Sequence, residues 1–213
     1  MKLYILAIAL GVAFLVLLPW HPYPFSFVLK PAGILVLALL AAMSEVRYAK
    51  GLALGLVFGA GGDILLDFDL FVPGLVSFLI SHLVYTCLFI LVIKDAGETR
   101  KGAVPKLIGL VIVSGALLYF LLPNLGDMAL PVVAYFSVIT IMTGTSLLAP
   151  FDSARLPVGA VLFVISDAVI GINKFNGDVW AANQIIWITY FAAQYCITTG
   201  FLAGWTRRGT AKE

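Results

Sequence analysis

Two aspartates, Asp63 and Asp167, lie inside long apolar stretches, far from the polar breaks of the chain. A charged side chain at the centre of a bilayer costs on the order of 2.5–3.5 kcal/mol on insertion scales, so such residues face a bundle interior or a wet cavity and mark a functional site by default. Two carboxyls in one low-dielectric pocket do not readily ionise together; one is expected to keep its proton while the other is charged. That is an acid and base pair. His82 is placed to decide which carboxyl holds the proton or to position water, and Tyr85 to donate to a developing oxyanion. No nucleophile elbow, HExxH pattern, P-loop or GxGxxG occurs in the sequence, so acyl-enzyme, zinc and nucleotide chemistry have no support.

Helical spacing gathers further residues around this pair, because positions i, i+3, i+4 and i+7 share a face. Gly55, Gly59, Gly62 and Asp63 form one stripe, whose small residues admit a neighbouring backbone or a ligand close to the carboxylate. The other stripes are Phe78, His82, Tyr85 and Phe89; Phe163, Asp167, Ile170 and Lys174; and Trp187, Tyr190, Gln194 and Thr198. Each mixes aromatics with a hydrogen-bonding head. A rise of about 1.5 Å per residue puts Asp63 roughly 18 Å along a helix entered at Gly51, and Asp167 roughly 17 Å along one entered at Leu156. Both fall slightly beyond mid-membrane, and His82 and Gln194 reach a comparable depth from the opposite direction.

The elements that hold these residues are membrane spans. Of 213 residues, 62% are hydrophobic and 11% charged, and the mean hydropathy is +1.08. A soluble domain carries about 25% charged residues, so the apolar surplus here has to face lipid. Eight apolar runs are visible, approximately Leu3 to Leu18, Phe27 to Met43, Gly51 to Leu66, Pro73 to Ile93, Leu107 to Leu122, Ala129 to Leu148, Leu156 to Ile172 and Ala182 to Trp205. They predict an all-α, eight-transmembrane-helix bundle forming a single domain over residues 1–213. The first run lacks a small-residue cleavage signature and reads as a span rather than a removed signal peptide. With eight spans, eleven of the thirteen Lys and Arg residues fall on the side of the termini. The positive-inside rule then makes both termini cytoplasmic. The exceptions, Lys30 and Lys174, sit at the opposite ends of spans two and seven.

Other signals are weaker. Gly55 precedes Asp63 by eight residues and Gly159 precedes Asp167 by eight, while Phe78 and His82 are echoed by Tyr190 and Gln194, consistent with a four-plus-four parallel repeat. Cys87 and Cys196 read as small buried hydrophobes. A net charge of +2 without a basic block gives no support for nucleic acid.

At these residues the chain resembles the YhhN family of multipass membrane proteins, whose animal members include lysoplasmalogenases. The matching pieces are Lys30-Pro31, Gly62-Asp63 followed by Leu65, His82 with Tyr85, Gly159 to Phe163 leading into Ser166-Asp167, and Tyr190 with Gln194; in that order they span nearly the whole chain. The resemblance implies cofactor-free hydrolysis of the vinyl-ether bond of a lysoplasmalogen, releasing a fatty aldehyde and a glycerophosphoethanolamine or glycerophosphocholine. The lysophospholipid substrate is the expected partner, and the bacterial inner membrane the expected location. In that reading Asp167 is the acid, desolvated by Phe163 and Ile170, and Asp63 the base for water, with the roles open to exchange. Lys30 and Lys174 bind the lipid phosphate, and Tyr85, Tyr190 and Gln194 line the substrate path. The rival readings are a proton-coupled transporter or lipid flippase, an intramembrane aspartyl protease suggested by Ala60-Gly61-Gly62-Asp63, and a non-catalytic lipid-binding scaffold.

Overall fold

The computed structural model of the chain describes residues 2–151 and 153–210, with the backbone alone from residue 205 onward. Among the described residues there are eight long helices and no strand: α1 Lys2–Leu17, α2 Ser26–Ala42, α3 Ala49–Asp67, α4 Phe71–Ala96, α5 Val104–Leu121, α6 Ala129–Leu148, α7 Arg155–Phe175 and α8 Ala182–Thr210. Each coincides with one of the eight apolar runs to within a few residues at either end. Seven of these regions are long and apolar enough to cross a membrane, and α2, with 17 residues, is a shorter apolar helix. The protein is an integral, multi-pass membrane bundle.

Side-chain exposure separates an inner from an outer set of helices. On α5 the consecutive residues Val111, Ile112 and Val113 are 62%, 65% and 61% exposed. Successive helical residues point about 100° apart, so most of the circumference of α5 is open, and that apolar surface has lipid as its solvent. By contrast, α3, α4, α7 and α8 bury Asp63, Ser81, His82, Ser166, Asp167 and Gln194.

Glycines set the contacts that position the site. A Cβ on Gly62 would stand 2.7 Å from the Phe78 ring, and one on Gly59 would stand 2.5 Å from Gln194 Nε2. At Gly55 the Tyr85 ring occupies the same space. The glycine stripe of α3 thus receives α4 on two turns and α8 on the turn between them. In the α7–α8 pair, Gly159 lies against the carbonyl of Ala193 and the Ile197 side chain. Tyr85 follows His82 by three residues and Ile197 follows Gln194 by three, so both pairs close over a glycine at a matching register.

The loops gather at two ends. At one, Arg47 pairs with Asp95 at 2.6 Å, Tyr48 donates to Asp95 at 2.9 Å, and Arg100 donates to the carbonyls of Phe151 and Ser153. At the other, Asp67 ties the end of α3 to the α1–α2 segment. The basic residues Arg207, Arg208 and Lys212 lie outside the described side chains.

Candidate functional site

The Asp63 carboxyl is 3% exposed at residue level and Asp167 8%, and both line one cavity of about 570 Å³. Its polar walls include His21, Lys30, Ser166, Asn183 and Tyr190; Phe14, Leu18, Phe78 and Trp187 close it on the apolar side. Asp167 also lines a second, nearly all-apolar cavity of about 440 Å³ among Phe71, Leu75, Val132, Phe136 and Phe175. Leu66, Phe78 and Ile170 border both spaces. Asp167 therefore stands at the junction of a polar and an apolar chamber.

Each carboxyl ends a short chain of hydrogen-bond donors. Tyr135 donates to Asp167 Oδ2 at 2.6 Å, and His82 Nε2 lies 3.0 Å from the Tyr135 hydroxyl and 3.4 Å from Asp167 Oδ2. Because the Tyr135 proton goes to Asp167, its oxygen accepts from His82 Nε2–H, which fixes the imidazole tautomer. His82 Nδ1 is buried without a partner. On the other side, Tyr85 donates to Gln194 Oε1 at 2.7 Å and Gln194 Nε2 donates to the Tyr190 oxygen at 3.4 Å. The Tyr190 hydroxyl faces Asp63, and its own proton is free to point there. Asp63 Oδ2 has no hydrogen-bond partner.

Aromatic packing holds the two chains apart and rigid. Phe163 stands edge-on to His82 at 4.9 Å between ring centroids and to Tyr190 at 5.5 Å, and Phe78 is edge-on to Tyr190 at 5.7 Å. Below them the Trp187 indole donates to the Gly11 carbonyl at 2.9 Å, which seats α1 against α8.

At the mouth of the polar cavity Asp67 accepts from His21 Nε2 at 2.8 Å, Ser26 Oγ at 2.6 Å and Lys30 Nζ at 3.3 Å. Its side chain is 2% exposed, whereas His21 and Lys30 keep 24% and 18% of theirs open. The buried carboxylate holds two donors at the rim of the chamber.

The residues singled out from the sequence thus fall into three positions. Asp63, Asp167, Lys30 and Tyr190 line the polar cavity. His82, Tyr85 and Gln194 are fully buried behind it and connect to it through other side chains, with the Tyr85 hydroxyl committed to Gln194. Lys174 is exposed and sits 4.9 Å over the Phe71 ring, beside the apolar chamber and away from the polar one.

Tyr135, Asp67, His21 and Asn183 escaped the sequence reading. Asp67 carried a usable signal, since it lies four residues after Asp63 on the same helical face. Tyr135 carried none, because its role depends on α6 packing against α4 and α7.

No solved structure matches the chain. The sequence is 34% identical over 187 residues to a protein of Mycobacterium tuberculosis named lysoplasmalogenase, covering 83% of this chain and 71% of that one. It is 33% identical over 161 residues to bovine lysoplasmalogenase TMEM86A, covering 70% and 64%. Against human lysoplasmalogenase TMEM86B the identity is 34% over 157 residues, covering 73% and 65%. Residues 25–201, which carry both aspartates, both tyrosine-linked donor chains and Asp67 with its partners Ser26 and Lys30, match the YhhN family, and the chain belongs to that family.

Proposed function

We propose that this protein is a membrane-embedded lysoplasmalogenase that cleaves the vinyl-ether bond of an alkenyl-glycerophospholipid with Asp63 and Asp167 as its acid and base. One observation carries the reading: both carboxyls line a single polar cavity, and one of them also borders an apolar cavity. A lysoplasmalogen is built the same way, with a polar head, one alkyl chain and a vinyl ether between them. The apolar chamber suits the chain and the polar one the glycerophosphate. Lys30 and His21 are the phosphate donors at the rim. From Asp67, which holds them, to Asp63 is one helical turn, about 6 Å, comparable to the reach of a glycerol backbone from phosphate to ether oxygen. Lys174, outside the polar chamber, is assigned the lipid interface beside the chain.

Hydrolysis begins with proton transfer to the β-carbon of the vinyl ether, which makes an oxocarbenium ion. Asp63 is the proposed donor, because its Oδ2 is unengaged and lies in the cavity wall. Asp167, held by Tyr135 and His82, suits the carboxylate that stabilises the cation and takes a proton from the attacking water. This is the reverse of the order expected from the sequence, and the bound donors on Asp167 are the reason. The hemiacetal then collapses: Asp167 protonates the departing glycerol oxygen and Asp63 takes back the hydroxyl proton. Both carboxyls return to their starting state, with one water consumed and an aldehyde and a glycerophospho-alcohol released.

Purified protein in detergent, given 1-alkenyl-glycerophosphoethanolamine, is expected to release fatty aldehyde, and in heavy water that aldehyde carries one deuterium on the carbon next to the carbonyl. No aldehyde above a heat-inactivated control overturns the assignment. Aldehyde without deuterium overturns the protonation step.

A further inference from the structure

We infer that the catalytic cavity is loaded from the non-cytoplasmic face of the membrane, so that the enzyme consumes lysolipid of that leaflet and releases its phosphate-bearing alcohol on that side. The inference builds on the hydrolase reading and adds the substrate pool to it.

Two independent observations carry it. The first is where the cavity opens. His21 lies between α1 and α2, Lys30 near the start of α2, Asp67 at the end of α3 and Asn183 near the start of α8. All four belong to the end of the bundle opposite the amino terminus, and the partly open His21 and Lys30 side chains place the mouth there. The apolar chamber uses the same end, with Phe71 opening α4 and Phe175 closing α7.

The second is charge. Arg47, Lys50, Lys94, Arg100, Lys101, Lys106 and Arg155 all lie at the other end, where Arg47–Asp95 and the Arg100 contacts join the α2–α3, α4–α5 and α6–α7 segments into one layer. Among the described residues the only Lys and Arg at the cavity end are Lys30 and Lys174, and Lys30 is paired with Asp67. An excess of Lys and Arg in short loops marks the cytoplasmic side, and acidic residues count little. The basic layer therefore faces the cytoplasm and the mouth faces away from it.

The depth of the mouth fits a lipid headgroup. Lys30 is the fifth residue of α2, about 6 Å from its first residue, which is an interfacial depth for a phosphate. The aspartates lie deeper along their helices, where the vinyl ether hangs below the phosphate. A lysolipid already in that leaflet reaches both without crossing the bilayer.

The test uses the full chain in bacterial membranes. Right-side-out spheroplasts and sealed inside-out vesicles receive 1-alkenyl-glycerophosphoethanolamine from outside, and the glycerophosphoethanolamine appearing in the external buffer is followed before and after detergent. Right-side-out preparations are expected to show at least a tenfold higher share of their detergent-released rate than inside-out ones. Equal or reversed shares overturn the sidedness. No hydrolysis even in detergent counts against the hydrolase reading, and a labelling experiment then decides the orientation by itself. Asp178→Cys, in the α7–α8 loop, is expected to react with a membrane-impermeant maleimide in spheroplasts and Lys101→Cys only in inside-out vesicles. The unsubstituted protein, with Cys87 and Cys196, sets the background, and the opposite labelling pattern overturns the inference.

Discussion

The surroundings of Asp63 and Asp167 are built on one plan and differ at one place. In each a tyrosine hydroxyl points at the carboxyl, and a nitrogen donor holds the tyrosine oxygen: Gln194 behind Tyr190, His82 behind Tyr135. Around Asp167 the contacts are short, 2.6 Å from the phenol with the imidazole at 3.4 Å from the same oxygen. Around Asp63 one buried oxygen is left without a donor. The same residue type is thus prepared for different work by what touches it: a carboxyl oxygen faced by both a phenol and an imidazole suits a standing negative charge, and a carboxyl with one oxygen left free suits a proton that comes and goes.

Removing either carboxyl is expected to have the largest effect. Asp63→Asn and Asp167→Asn should each lower kcat for aldehyde release by about 10²–10⁴-fold, and the double variant should fall little further because the two act as a unit. Additive losses in steady-state assays would show two independent roles and break the proposed pair.

The tyrosines come next. Tyr135→Phe removes a short hydrogen bond to a carboxylate, worth about 1.5–3 kcal/mol, so kcat should drop roughly tenfold to a hundredfold. Tyr190→Phe should cost less, since the acid it faces starts the cycle protonated and carries charge only between its two proton transfers. The opposite ranking in parallel kinetic assays would exchange the roles of the two aspartates.

Packing around the Asp63 chain is tested at a glycine. Gly59→Ala drives a Cβ into Gln194 Nε2 and is expected to destabilise the protein in detergent by about 1–3 kcal/mol, with a lower thermal midpoint and weakened activity. Gly115→Ala, where a Cβ meets nothing within 4 Å, should leave both unchanged.

The smallest effect separates the two lysines. Lys30→Gln should raise KM with kcat largely kept, as expected for a contact made equally in ground and transition states. Lys174→Gln, on an exposed side chain, should change kcat/KM by no more than about twofold. A larger KM effect at Lys174 would move the phosphate to the other chamber.

Much of the fold was legible before any coordinates. Hydropathy is a local property, so each apolar run announced its own helix, and the cost of a buried charge singled out Asp63 and Asp167 without reference to neighbours. Helical periodicity is local too, and it grouped Gly55, Gly59 and Gly62 with Asp63 on one face. What lay against that face was not written there. That Gln194 fills the space over Gly59, that Tyr135 stands between His82 and Asp167, and that Asp67 gathers His21, Ser26 and Lys30 all depend on which helices adjoin at which height. The chemistry of a buried carboxyl is set by contacts between residues as far apart in the chain as Tyr85 and Gln194. The sequence determined the spans and the charges they had to bury; only the packed bundle decided which donors serve Asp167, which oxygen of Asp63 stays free, and that a polar and an apolar chamber meet at Asp167.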